Sequence, residues 1–168
     1  FMSVMAIPKA ALIGHGLGRQ DPAGSTWSDP DYWRIEGLAG DVVSIAVDAP
    51  SRILNPAVEL RNSADGVLVS DYDGGPNNSA FISAYTISSS GTYYVRVFSD
   101  GSTGDYELRV DVARGVQIES DREYANDSIA AANVLTKTAG GTQNNATVIG
   151  TIMDRQGGHV DQDYYALG

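Results

Sequence analysis

Two acidic stretches hold most of the chemistry in this chain: "ESDREYAND" over residues 119–127 and "HVDQD" over residues 159–163. Carboxylates, an amide and backbone carbonyls are hard oxygen donors, the kind calcium collects about six to eight at a time. "SDYDGGPNNS", with Asp71 and Asp73, also resembles a calcium loop but lacks the glutamate that closes an EF-hand. Its competing reading is an Asp- and Gly-rich hairpin turn. Asp29 and Asp31, in "DPDYWRI", form a smaller pair.

Catalysis has less to build on. His15 and His159 are the two histidines, and a Ser-His-Asp triad needs one of them set beside a serine and an acid by tertiary structure. "GHGLG" has glycines at 14, 16 and 18, a spacing that misses G-x-G-x-x-G with no helical pattern after it. It reads as turn chemistry, and no active site is expected. Binding is better supplied. Tyr85, Tyr93, Tyr94 and Tyr106 sit in alternating segments, and an exposed ring with its hydroxyl suits an extended polymer or protein. The same alternation requires some of them to fill the core.

Composition narrows the classes further. Eleven basic against twenty-one acidic side chains give a formal charge of -10, which repels polyphosphate and argues against a nucleic-acid partner. No run of about 18 apolar residues is present to span a membrane, and "FMSVMAIPKAALIG" is too short and poorly built for a signal peptide. Any export signal is expected outside this segment. With no cysteine, disulfides and thiolate chemistry are excluded, while nineteen glycines and nine tyrosines suit a loop-rich β protein.

The elements that must position these groups read as strands. "DYWRIEG" (31–37), "DVVSIAVD" (41–48), "PAVELRN" (56–62), "GVLVS" (66–70), "SAFISAYTI" (79–87), "GTYYVRVF" (91–98) and "GDYELRVDV" (104–112) alternate apolar with polar side chains. Gly, Asp and Asn-rich turns separate them without an amphipathic helix between. This predicts an all-β, two-sheet antiparallel sandwich over residues 10–114. In "GTYYVRVF", Tyr93, Val95 and Val97 share one face and Tyr94, Arg96 and Phe98 the other. Residues 115–127 read as an acidic linker. Asn126 or Asp127 is placed to N-cap a helix of at most two turns over Ile129–Leu135.

The chain repeats itself. "LIGHGLGRQDPAGSTWSDPDYWRI" and "VIGTIMDRQGGHVDQDYYAL" share Ile-Gly, then Arg-Gln, then Asp-x-Asp-Tyr-aromatic. Residues 128–168 are therefore expected to be the N-terminal part of a second, truncated repeat. Its few strands cannot make a sandwich alone, so it should pack on the first unit or pair with another chain by strand exchange or dimerisation.

The order "YANDSIAAANVL", "ATVIGTI", "DQDYYAL", together with "DPDYWRIEGLAGDVVSIAV", "NPAVELRNSADGVLVSDYDGG" and "SSSGTYYVRVFSDGSTGDYELRV", resembles the bacterial pre-peptidase C-terminal domain family, which includes collagen-binding domains of clostridial collagenases. The resemblance implies a jelly-roll-like sandwich, export to the bacterial cell surface or medium, and calcium where linker meets first strands. Carried over by motif, it nominates Glu119, Glu123, Asn126 and Asp127 with Asp161 and Asp163. In the first unit Asp29 and Asp31 stand without an acidic linker, since "FMSVMAIPKA" has no carboxylate. The expected function is a non-catalytic accessory module of a secreted or surface bacterial protein, touching an extracellular polymer or protein and neighbouring repeats of its own chain. The alternatives are a structural spacer in a tandem-repeat adhesion protein and an appendage of a secreted peptidase. The N-x-S/T strings at Asn77, Asn126 and Asn145 are incidental in a bacterial source.

Overall fold

The computed structural model describes residues 10–16, 30–50, 52–99, 101–140, 143–153 and 158–168. Two four-stranded antiparallel sheets face each other. The first has the order β1 (Ala10–Gly16), β8 (Gly104–Ala113), β3 (Val42–Asp48), β6 (Ala80–Thr86). The second has the order β2 (Asp31–Gly37), β7 (Gly91–Ser99), β4 (Pro56–Asn62), β5 (Val67–Asp71). All seven segments with alternating side chains are strands. β1 is an addition, because glycines in "AALIGHG" read as turn punctuation. It is held in register by β8 from Ala10 opposite Val110 to Gly16 opposite Gly104.

Alternation builds the core. Val43, Ile45 and Val47 of β3, Val58 and Leu60 of β4, Val95 and Val97 of β7 and Leu108 of β8 are buried between the sheets. Each such side chain contributes roughly 1.5–3 kcal/mol by leaving water. On β7 the faces divide as the pattern requires: Tyr93, Val95 and Val97 are buried, and Tyr94, Arg96 and Phe98 are half-buried. β3 is covered on both sides. Its outward residues Ser44 and Ala46 are also buried, because β9 (Gln117–Ile118) lies across it and Ser44 Oγ accepts the Ala84 N–H at 3.0 Å.

Two of the tyrosines expected at a binding face are interior. Tyr106 is 3% exposed; its hydroxyl donates to Asp31 at 2.6 Å and accepts from the Trp33 indole at 3.0 Å. Tyr93 is buried and its hydroxyl donates to the Ser89 carbonyl. Both are withdrawn from any surface ligand by the inward phase of their strands. Tyr85 packs half-buried against the core, and Tyr94 stays on the outer face.

Asp41 is almost fully buried at the β2–β3 turn, where Arg114 donates to both its oxygens at 2.8 Å and the Leu38 N–H donates at 2.8 Å. The Arg114 hydrogen bonds hold its carboxyl below the usual range against the opposing effect of burial.

After the sandwich the chain forms short paired pieces. β9 pairs in parallel with β13 (Val148–Ile149), β10 (Asn133–Leu135) in parallel with β14 (Tyr165–Leu167), and β11 (Thr138–Gly140) with β12 (Gln143–Asn145). The helix expected over Ile129–Leu135 is one 3-10 turn, Ile129–Ala131, preceded by Ser128 rather than capped by Asn126 or Asp127. Ala132 then turns extended and Asn133–Leu135 takes hydrogen bonds from β14, so sheet pairing overrides the helix preference of the alanines. Residues 148–153 return along the first sheet, where Arg109 donates to Thr151 Oγ1 at 3.4 Å.

Tyr106→Phe removes a buried hydroxyl and strands the Trp33 N–H beside Asp31. It is expected to lower stability by about 1–3 kcal/mol in urea unfolding; an unchanged midpoint would refute a structural role for this bond pair.

Candidate metal centre

The acidic linker and the second acidic turn meet. A carboxylate oxygen from each of Asp121, Asp161 and Asp163 lies within 4.8 Å of the others. Asp121 is 1% exposed, Asp161 7% and the neighbouring Asn126 0%. Asp121 Oδ2, Asp161 Oδ1, Asp163 Oδ1 and both amide atoms of Asn126 have no hydrogen-bond partner. Buried polar atoms in folded proteins are nearly always paired, so five orphans in one place call for a shared partner.

The second oxygens of Asp121 and Asp161 are tied down and aim the free ones. Asp121 Oδ1 accepts the Asn126 N–H at 3.3 Å, and Asp161 Oδ2 accepts the Met153 N–H. Glu119 is also buried: one oxygen accepts the Thr151 N–H and the other the Tyr165 hydroxyl at 2.7 Å. The turn between Asp121 and Asn126 reverses through Glu123 and Tyr124, both left-handed at φ 58° and 59°, a conformation that costs a non-glycine residue about 1–2 kcal/mol. That reversal points Asp121 and Asn126 the same way.

The sequence nominees separate into two groups. Glu119, Asn126, Asp161 and Asp163 are gathered here. Glu123 is not: its exposed side chain pairs with Arg122 at 3.3 Å. Asp127 stands behind the cluster, accepting the Gln162 N–H at 2.9 Å and facing His159 Nε2 at 2.9 Å, and its charge raises the pKa of both Asp161 and Asp163. Of the four acids in "ESDREYAND", the motif carried residue by residue nominated Glu119, Glu123 and Asp127 and missed Asp121. Local geometry, not residue type, chooses between them.

The weaker nominees have other work. Asp71 is buried, with Oδ2 accepting the Gly74 and Phe81 N–H groups at 2.8 Å, so it organises the turn. Asp73 is exposed beside it. Asp31 is taken up by Tyr106, and Asp29 lies outside the described residues.

Electrostatics mark the cluster. Burial pushes the Asp121 carboxyl up to about 7, and the charges of Asp161, Glu119 and Asp163 push the same way. Glu119, Asp161 and Asp163 are raised too, mainly by burial. A carboxyl raised on folding binds more protons folded than unfolded, so without a cation the fold loses stability as pH rises between the two pKa values. For Asp121 that window runs from 3.8 to about 7. Asp41, whose carboxyl is held low, acts below 3.8 and in the opposite sense, its contribution lost on acidification. In chelator, the melting temperature is expected to fall from about pH 4.5 to about pH 7 and Asp121→Asn to flatten that fall; a wild-type profile flat over this range would contradict the buried charge cluster.

The donor set is oxygen throughout, with no sulfur and His159 at its margin on Asp127. Such a set suits a hard cation of calcium's size.

No curated protein sequence matches the chain. Among solved structures, a periplasmic inhibitor of g-type lysozyme from Aeromonas hydrophila is similar at 13% identity and a TM-score of 0.45, over 62% of this chain and 85% of that one. Residues 29–99 match the family model of the bacterial pre-peptidase C-terminal domain. They run from Asp29 to the end of β7 and include all of the second sheet. Members of this family are non-catalytic domains of secreted bacterial proteins. With all four strands of the second sheet inside the matched span, residues 29–99 of the sandwich are similar to the bacterial pre-peptidase C-terminal domain family.

Proposed function

We propose that this chain is a calcium-set accessory module of a secreted or surface bacterial protein, in which one ion ties the linker after the sandwich to the acidic turn that follows. The observation that carries the reading is the orphaned set: Asp121 Oδ2, Asp161 Oδ1, Asp163 Oδ1 and the Asn126 amide, all buried and converging from two sequence-distant segments. Glu119 completes the donor shell in this reading, by giving up one of its present hydrogen bonds. The ion supplies positive charge that replaces the protons these acids otherwise retain, and the chain's part is to hold the oxygens in place and exclude water.

The polymer- or protein-contacting role rests on the outer face of the second sheet. Tyr32 and Tyr94 are carried there by β2 and β7, and exposed Tyr72 meets Phe98 edge-on at 6.0 Å between centroids. Arg96 lies 4.1 Å over the Phe98 ring. Rings of this kind offer contact area at low entropy cost. Tyr94 is the one sequence nominee on this face.

Calorimetric titration of calcium into the whole chain, beside an Asp161→Ala, Asp163→Ala double variant, tests the metal reading. Saturable binding in the wild type that is lost in the double variant is expected, with a rise in melting temperature at millimolar calcium. Equal heats in both, or none in either, would leave the acids as turn-forming groups and favour a plain spacer.

A further inference from the structure

Loop 119–126 is bolted to the sandwich through residues that are not among the candidate donors. Arg122 follows Asp121 directly, and its Nε lies 2.9 Å from Oδ1 of Asp71, an ion pair without hydrogen-bond alignment. Asp71 is 2% exposed and ends β5, its other oxygen already holding the Gly74 and Phe81 N–H groups. One residue on, the Glu123 N–H donates to the Gly74 carbonyl at 3.0 Å. Gly74 fits there because it has no side chain: a Cβ would lie 2.6 Å from Asp71 Oδ1 and 2.9 Å from Arg122 Nε. A third tie comes from Ser83 of β6, whose hydroxyl accepts the Asp121 N–H at 3.0 Å and reaches the Glu119 carbonyl at 3.4 Å.

We infer that Asp71 and Arg122 are positioning residues for the metal centre, locking loop 119–126 to the β5–β6 turn and thereby setting the affinity of the cluster for its ion. The inference rests on the calcium reading above and extends it to residues that hold no ion. Two features make the lock consequential. The left-handed pair Glu123 and Tyr124 follows Arg122 immediately, so that strained reversal needs an anchor on its entering side. A buried Asp71 carboxylate also needs a cation, which Arg122 brings from the linker. The β5–β6 turn, which the sequence offered as a calcium loop of its own, instead serves the site formed by the linker.

The test uses the whole chain with R122Q, D71N and the double variant, measuring calcium affinity by calorimetry and amide hydrogen exchange in chelator. R122Q removes a charge from a half-exposed side chain, which protects the comparison if D71N fails to fold. Affinity is expected to fall about 10- to 100-fold in each single variant, as for outer-shell partners of metal sites, and the double variant to lose no more than either single one. Exchange is expected to quicken at residues 119–126 while the amides of β3 and β8 stay protected. Wild-type affinity in R122Q, or additive losses in the double variant, would overturn the inference. A wild type that binds no calcium would remove the metal reading and the affinity claim together. The lock itself would then be judged on exchange, where unchanged rates at 119–126 in R122Q would overturn it.

Discussion

Like charges gathered out of water impose the strongest constraint on this molecule. Asp121, Asp161 and Asp163 stand within 4.8 Å through their oxygens, with Glu119 beside them, and burial raises all four carboxyls, with neighbouring negative charges adding to it. Such a group must be neutralised by protons or by a cation. Everything around it serves placement. Main-chain N–H groups of Asn126, Thr151 and Met153 each fix one oxygen, and parallel pairing of β9 with β13 and of β10 with β14 draws the two acidic segments together. Neither segment has a core of its own, so the sandwich supplies rigidity through Ser83, Gly74 and Asp71.

The two sheets carry different outer faces. The first is roofed by β9, which is why Ser44 and Ala46 are as buried as their inward neighbours. The second presents Tyr32, Tyr94, Arg96 and Phe98, and its charges cancel locally: Arg34 pairs with Glu36, while Arg61 and Arg96 both reach Glu59. On a chain of formal charge -10, this is a nearly neutral, ring-bearing surface. One sheet is thus committed to intramolecular packing, while the other keeps an outer face that no described strand covers.

Alternation made the sandwich legible. Seven strands were visible because apolar and polar side chains alternate along them, even in β3, whose outer face is covered as well, and the face carrying Tyr93 could be told from the face carrying Tyr94. β1 was not, since "AALIGHG" alternates poorly and its glycines suggested a turn. The Ile129–Leu135 helix failed for a different reason: its alanines favour helix locally, but Asn133–Leu135 is claimed by a strand some thirty residues away. At the site, residue type identified the acidic segments, and chain direction decided their members. Glu123 and Asp121 are both acids of the same linker; consecutive left-handed residues put one outside and one inside, a distinction no composition records. Tyr106 was misjudged as a surface ring because its partner, Asp31, is brought to it only by the packing of one sheet on the other.

The strand order has a kinetic corollary. Of the six pairings within the two sheets among the described residues, β4 with β5 alone joins neighbours in sequence; β1 with β8 closes nearly the whole length of the unit and β2 with β7 more than half of it. Loop-closure entropy must therefore be spent before most contacts form, which places this sandwich among slow-folding, high-contact-order topologies. The β4–β5 hairpin is the natural early structure, and it ends at Asp71. The residue that later receives Arg122 is thus in place at the end of the first element able to form, long before the linker it anchors has been drawn in.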